Sequence, residues 1–143
     1  MNAIASVMLL FWDLDAASLP KSPVTTSSYR VLLNGRSLHV HRMSHPLDRF
    51  FGLMGMHQWP INHALMFDGQ SRSFWMRNVP ILLDLVFFDS NGCVLDFQTA
   101  VPYSHQLISI PPQAEFTFEL GGGAISYYQI QKADCLSDAL YDF

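Results

Sequence analysis

The sequence predicts an α+β domain that is mostly β: a small barrel-like fold of short antiparallel strands with one or two short helices. Three observations carry this. Asn34-Gly35 separates two strand-length runs, and that dipeptide supplies the positive φ angles of a tight hairpin turn. The apolar run 81–89 is reversed by Ser90-Asn91-Gly92, and residues 93–99 return antiparallel to it. Helix signals are few and short, while strand-length runs recur between turn residues. With 143 residues the chain holds one core. A hydrophobic fraction of 50% excludes intrinsic disorder, and a charged fraction of 14% leaves the surface short of charge. A net charge of -4 excludes a general footprint for nucleic acid or anionic membrane.

The first segment, residues 1–28, reads as an apolar arm and a Pro/Ser/Thr linker, with the domain in residues 29–143. The apolar run 4–12 is far short of the ~20 residues of a membrane span. It has the length of a signal-peptide core, yet no Lys or Arg precedes Lys21, and Asp13 and Asp15 follow directly. Apolar surface of this size marks an interface or an extra core element. Ile4, Val7, Leu9, Leu10, Phe11 and Trp12 are therefore expected to pack on the domain or on a partner chain.

Within the domain, residues 29–33 and 36–41 form the first hairpin. Ser44 is placed to cap a short helix over 46–54, with Asp48 near its positive end. Residues 64–67 read as a short strand. Pro80 then breaks the segment that carries Phe74-Trp75-Met76-Arg77-Asn78. Residues 81–89 read as a buried strand and 115–120, which alternate polar and apolar, as a half-buried one. Gly121-Gly122-Gly123 gives backbone freedom rather than a phosphate loop, since no Lys-Ser or Lys-Thr follows. A short helix over 124–129 and a closing strand at Cys135-Leu136 complete the order.

Candidate chemistry is sparse. His39 and His41 lie two apart on a strand and share a face. That is a start to a metal site, but it needs a third ligand, and histidines on a solvated strand are commoner. No metal and no cofactor is expected. His45 follows closely, while His57, His63 and His105 fall in loops. Cys93 and Cys135 are too few for a disulfide scaffold and read as free thiols, which favours a reducing compartment. Asp84 interrupts the most apolar run of the chain, and a buried carboxylate needs a charge or several donors. Arg77 and Asn78 lie just upstream as partners. An internal clasp to an arginine or to backbone is one reading, and a ligand-binding or catalytic role is the other. Glu115 and Glu119 lie four apart on one face of a strand and read as solvated. Phe74 and Trp75 are able to stack a base or sugar, but eight basic residues in the whole chain argue against nucleic acid.

The blocks Arg49-Phe50-Phe51-Gly52-Leu53-Met54, Met66-Phe67 and Phe74-Trp75-Met76-Arg77-Asn78-Val79-Pro80-Ile81-Leu82-Leu83-Asp84 also carry a resemblance. So do Asp89-Ser90-Asn91-Gly92-Cys93-Val94 and Phe116-Thr117-Phe118-Glu119-Leu120. Over roughly residues 30–140 the chain resembles the DUF192 family of small, mostly bacterial and archaeal proteins. The resemblance implies one compact domain, mainly of strands, and no established reaction. It maps a family cleft onto Arg49, Trp75, Arg77, Asn78 and Asp84. The chain departs from the family pattern at Met56, where a basic residue is common, and at Leu82, where proline is usual. Ala133-Asp134 stands for a late Gly-Asp pair, and the stretch between Phe67 and Phe74 is short. Family members often carry a secretion or lipoprotein signal ahead of the domain, and residues 1–28 do not read as one.

Three functions compete. The first is a non-catalytic structural or assembly subunit, in a virion or another multiprotein particle, joined to other chains through the arm. The second is a domain that binds a small anionic ligand through the two guanidinium groups of the cluster, with Asp84 orienting an arginine. The third, a hydrolytic or redox enzyme, rests on Asp84, the histidines and Cys93 without a visible partner set. A cytoplasmic location, or one inside an assembled particle, follows from the lack of a signal and from free thiols.

Overall fold

A computed structural model describes residues 27–69 and 73–138. The arm residues Ile4, Val7, Leu9, Leu10, Phe11 and Trp12 lie outside the described residues. The fold is a curled half-barrel sheet with two short helices. Strands β1 (Ser28–Leu33) and β2 (Arg36–Arg42) form the expected hairpin. Asn34 and Gly35 turn it with φ of 50° and 77°. The Asn34 side chain also donates to the backbone oxygens of Tyr128 and Gln129 and to Asp134, which ties the turn to the end of the domain.

Helix α1 (Pro46–Phe51) follows β2. Its cap is His45 rather than Ser44: His45 Nδ1 accepts from the Leu47 N–H. The helix stops at Gly52, short of Met54, because Gly52 takes φ 48° and ψ -120°, which L side chains avoid. Strand β3 (His63–Asp68) then runs parallel to β2, with His39 opposite His63 and Arg42 opposite Met66. Among the described residues this is the one departure from an antiparallel sheet. A parallel neighbour cannot be reached by a hairpin, so α1 and the loop to Asn62 cross over one face of the sheet.

Strand β4 (Ser73–Phe74) pairs with β7 (Ile108–Ser109) in a separate two-stranded sheet. Strand β5 (Leu83–Phe88) is buried along its whole length between β6 (Val94–Ala100) and β8 (Phe116–Gly121). The β5–β6 turn is held by Asp89, whose Oδ1 accepts from the N–H groups of Asn91 and Cys93. Strand β8 also pairs with β3. Helix α2 (Ala124–Tyr127) and β9 (Ser137–Asp138) end the described chain, and β9 lies on the outer side of β1. The sheet order is β6-β5-β8-β3-β2-β1-β9.

Both faces of the sheet are covered. Leu65 and Phe67 of β3 and Leu83, Leu85 and Phe87 of β5 point towards the crossover, where they meet Met43, Phe51, Leu53 and Met76. The alternate residues Ala64, Val86 and Phe88 point the other way, towards Leu33, Val40, Ala124 and Tyr128. No helix among the described residues is long and apolar enough to cross a membrane.

Two sequence expectations resolve here. Asp84 faces the α2 side and makes the backbone clasp, without an arginine among the described residues. Its Oδ2 accepts from the N–H groups of Gly123 and Ile125 at 3.0 and 2.9 Å, and its Oδ1 from Thr99 Oγ1 at 2.7 Å. Gly123 has no side chain to cap α2, so a carboxylate 39 residues earlier in the chain fills that place. Cys93 and Cys135 are not free: they form a disulfide across an isolated antiparallel bridge. The expectation of free thiols is corrected, and the argument for a reducing compartment goes with it, since disulfides persist in oxidising surroundings.

Changing both cysteines to serine reopens a loop with a sequence separation of 42. Chain entropy sets that closure at about 4 kcal/mol, and urea unfolding is expected to show a loss of about 2–4 kcal/mol. Asp84→Ala orphans three donors, and the same titration is expected to show a loss of about 3 kcal/mol. Unchanged unfolding midpoints would refute either account.

Candidate functional site

Between the crossover and the sheet lies a cavity of about 250 Å³. Arg49, Phe50 and Phe51 of α1 line one side, with Gly52, Leu53 and Met54 after it. Ser73, Phe74, Trp75, Val79 and Leu107 line another, and Phe67 and Glu119 come from the sheet. The aromatic rings meet edge to face: Phe50 with Trp75 at 6.2 Å and Phe67 with Phe74 at 5.3 Å between centroids. Gly55 donates its N–H to the Asn78 carbonyl at 2.8 Å, which joins the crossover to the segment carrying Trp75.

The polar groups of this cavity have contrasting environments. Arg49 is engaged by the protein itself. Its Nη1 donates to the Met43 carbonyl and to Asp68 Oδ1, and its Nη2 to the Asp68 carbonyl. Asp68 also receives Arg42 Nη2 at 3.0 Å. That bond, with the charges of both arginines, holds the Asp68 carboxyl below its usual range against an opposing effect of burial. Glu119 is the reverse case. It is buried, its Oε2 has no hydrogen-bond partner among the described residues, and burial pushes its pKa up to about 8.

The position of Glu119 corrects the expectation that Glu115 and Glu119 are both solvated. Glu115 precedes β8 and is exposed, whereas Glu119 sits mid-sheet with Leu65 and Leu85 as cross-strand neighbours. Alternation along β8 signals two different faces, and here both are covered. Gly52 packs against the carboxyl. A Cβ at that position would lie 3.4 Å from Glu119 Oε2 and 3.7 Å from the Phe67 ring, besides straining the backbone.

The cluster expected from sequence is divided. Arg49 and Trp75 line the cavity. The Arg77 guanidinium lies over the Trp75 ring at 5.8 Å, so it is adjacent to the wall without lining it. Asn78, at φ 56°, contributes its backbone carbonyl to Gly55. Asp84 is on the opposite face of the sheet and orients no arginine: its cross-strand neighbour Leu120 belongs to the α2-side core, while Glu119 points to the cavity.

The histidine pair gains a third member that sequence reading left in a loop. The parallel register sets His63 beside His39, and the rings of His39, His41 and His63 stack at 4.7–5.0 Å. His41 Nε2 and His63 Nδ1 are 2.8 Å apart. Burial, and then the neighbouring imidazoles, hold both His41 and His63 below the usual histidine pKa. Among the described residues no group of three His, Cys, Asp or Glu side chains is arranged to hold a metal ion.

The Glu119 carboxyl makes stability pH-dependent. Unfolded it ionises near 4.5, folded near about 8. Between these values the unfolded chain gives up a proton that the folded chain keeps, so stability falls as pH rises, by about 1.4 kcal/mol per pH unit. Glu119→Gln is expected to remove that slope in chemical unfolding measured across the interval. A slope unchanged by the substitution would refute the assignment.

Three comparisons place the chain among known proteins. The sequence model of the DUF192 family, described as "Uncharacterized ACR", matches residues 30–137. No curated protein matches the sequence. A Sinorhizobium meliloti 1021 protein, described as a candidate transcription regulator, is similar in structure with a TM-score of 0.70 and 26% identity, over 81% of this chain and 97% of its own. A Novosphingobium aromaticivorans DSM 12444 protein of unknown function is similar with a TM-score of 0.68 and 20% identity, over 87% of this chain and 97% of its own. The match over most of the chain, on the fold described above, establishes that the protein belongs to the DUF192 family.

Proposed function

We propose that this domain binds a small organic molecule in the cavity between the crossover and the sheet. The observation that carries the reading is the cavity's composition: a volume of about 250 Å³, aromatic walls, and a buried carboxyl at its inner surface with an unpartnered oxygen. Ligand sites are mostly apolar with a few placed polar groups. An apolar cavity of roughly 150 Å³ already admits benzene, so this one is large enough for a small aromatic body.

The reading keeps Arg49 and Trp75 of the cluster expected from sequence and gives up the anion. Arg49 already faces the Asp68 carboxylate, and Asp84 lies on the far side of the sheet. The competing assembly reading draws on residues 4–12, outside the described residues, and no described feature favours it.

Indole is a suitable neutral probe. Saturable shifts of the Trp75 indole and of the Gly52 and Leu53 amides are expected in ¹H–¹⁵N spectra of the full chain. Leu107 is 61% exposed and lines the cavity, so Leu107→Trp is expected to fold normally and obstruct it. Indole affinity should then fall by at least about tenfold, or ~1.4 kcal/mol. No saturable shift, or a shift indifferent to Leu107→Trp, would overturn the proposal.

A further inference from the structure

The chemistry of the ligand follows from Glu119, on the premise that the cavity is a binding site. Buried polar groups that serve the fold alone are hydrogen-bonded. Asp84 illustrates this, with three donors on its two oxygens. Glu119 is 6% exposed and its Oε2 has no donor among the described residues. Its cross-strand neighbours, Leu65 and Leu85, bring no side-chain donors, and α1 ends against it in Gly52. The carboxyl faces the same cavity as Phe50, Phe67, Phe74 and Trp75.

We propose that the cavity binds a small organic cation, an ammonium or amidinium on an apolar body, whose N–H groups donate to the Glu119 carboxylate while the body packs on the aromatic walls. A carboxylate accepts two parallel N–H bonds from a planar cation, and aromatic faces attract positive charge. Arg49 does not supply that cation, because Asp68 and the Met43 carbonyl hold its guanidinium. An anion would find no comparable match beside Glu119.

Binding is then proton-linked. In the empty cavity the carboxyl keeps its proton to about pH 8. The cation takes its place, and the proton leaves to solvent. Other charged or titratable groups on the elements around this face are Asp48 and Arg49 on α1, His57 in the crossover, His63 and Asp68 on β3, His39 and His41 on β2 and Arg77 beside Trp75. Of these, His41, His63 and Asp68 are held below their ordinary ranges, so none of the three titrates near 8.

Benzamidinium, benzamide and benzoate share a shape and differ in charge, and benzamidinium stays cationic across the range used. Calorimetry on the full chain is expected to rank benzamidinium at least about tenfold tighter than the other two near pH 8. Its affinity should rise by roughly tenfold per pH unit from about pH 6 to about pH 8, with close to one proton released per ligand at the lower end. Glu119→Gln should abolish the pH dependence and weaken benzamidinium by at least about tenfold, with benzamide changed little. Proton release in the unmodified protein provides the test if the variant folds poorly. Equal or tighter binding of benzamide or benzoate, or pH-independent binding of benzamidinium, would overturn the cation while leaving the cavity as a site. Failure of all three probes, with indole also unbound, would overturn both readings.

Discussion

The parallel pairing of β2 with β3 is the constraint from which the site follows. Every other strand pair in the main sheet is antiparallel. A parallel step needs a long connection that leaves the sheet, crosses one face and re-enters from the starting side. That connection is where α1, Gly52, Leu53 and Met54 lie, and it supplies much of the cavity wall. It also brings His63 into line with His39 and places Asp68 within reach of both Arg42 and Arg49. One topological choice therefore covers the sheet and places the carboxylate that neutralises the cavity's own arginine.

Two acidic residues near one another in the sheet show how burial and hydrogen bonding separate structure from function. Asp84 and Glu119 occupy neighbouring strands, one register step apart, and point to opposite faces. Asp84 is surrounded by donors and closes the N-terminal end of α2, so its charge is fully used by the fold. Glu119 lies among leucines and aromatics with an oxygen unmatched. An apolar residue there would suit the core better, which is why the carboxyl is best understood through the cavity it faces.

What could be read from the sequence was local. The Asn34-Gly35 turn, the Ser90-Asn91-Gly92 reversal and the buried run of β5 each depend on residues adjacent in the chain. The family blocks mapped a cleft onto Arg49, Trp75, Arg77, Asn78 and Asp84, of which Arg49 and Trp75 line the cavity. The clasp at Asp84 was visible as a need, a carboxylate in an apolar strand, although its backbone donors lie 39 and 41 residues away, Thr99 lies 15 away, and only the folded sheet identifies them. Glu119, the third histidine and the Cys93–Cys135 bond stayed hidden for the same reason. Each depends on which strands become neighbours, and alternation along a single strand is silent about what covers the second face.

The sheet's outer rim gives the disulfide a further meaning. Among the described residues, β9 flanks β1 at one end of the sheet and pairs with Val31 and Leu32 through Asp138 and Ser137. An uncovered strand edge is a template for the backbone of another molecule. Cys135 lies two residues before β9 and is bonded to Cys93, directly before β6, so β9 is held beside β1 by a covalent tether as well as by its ladder. The disulfide thereby joins the two ends of the sheet order, β6 and β9, and acts as a covalent clasp on the curled half-barrel.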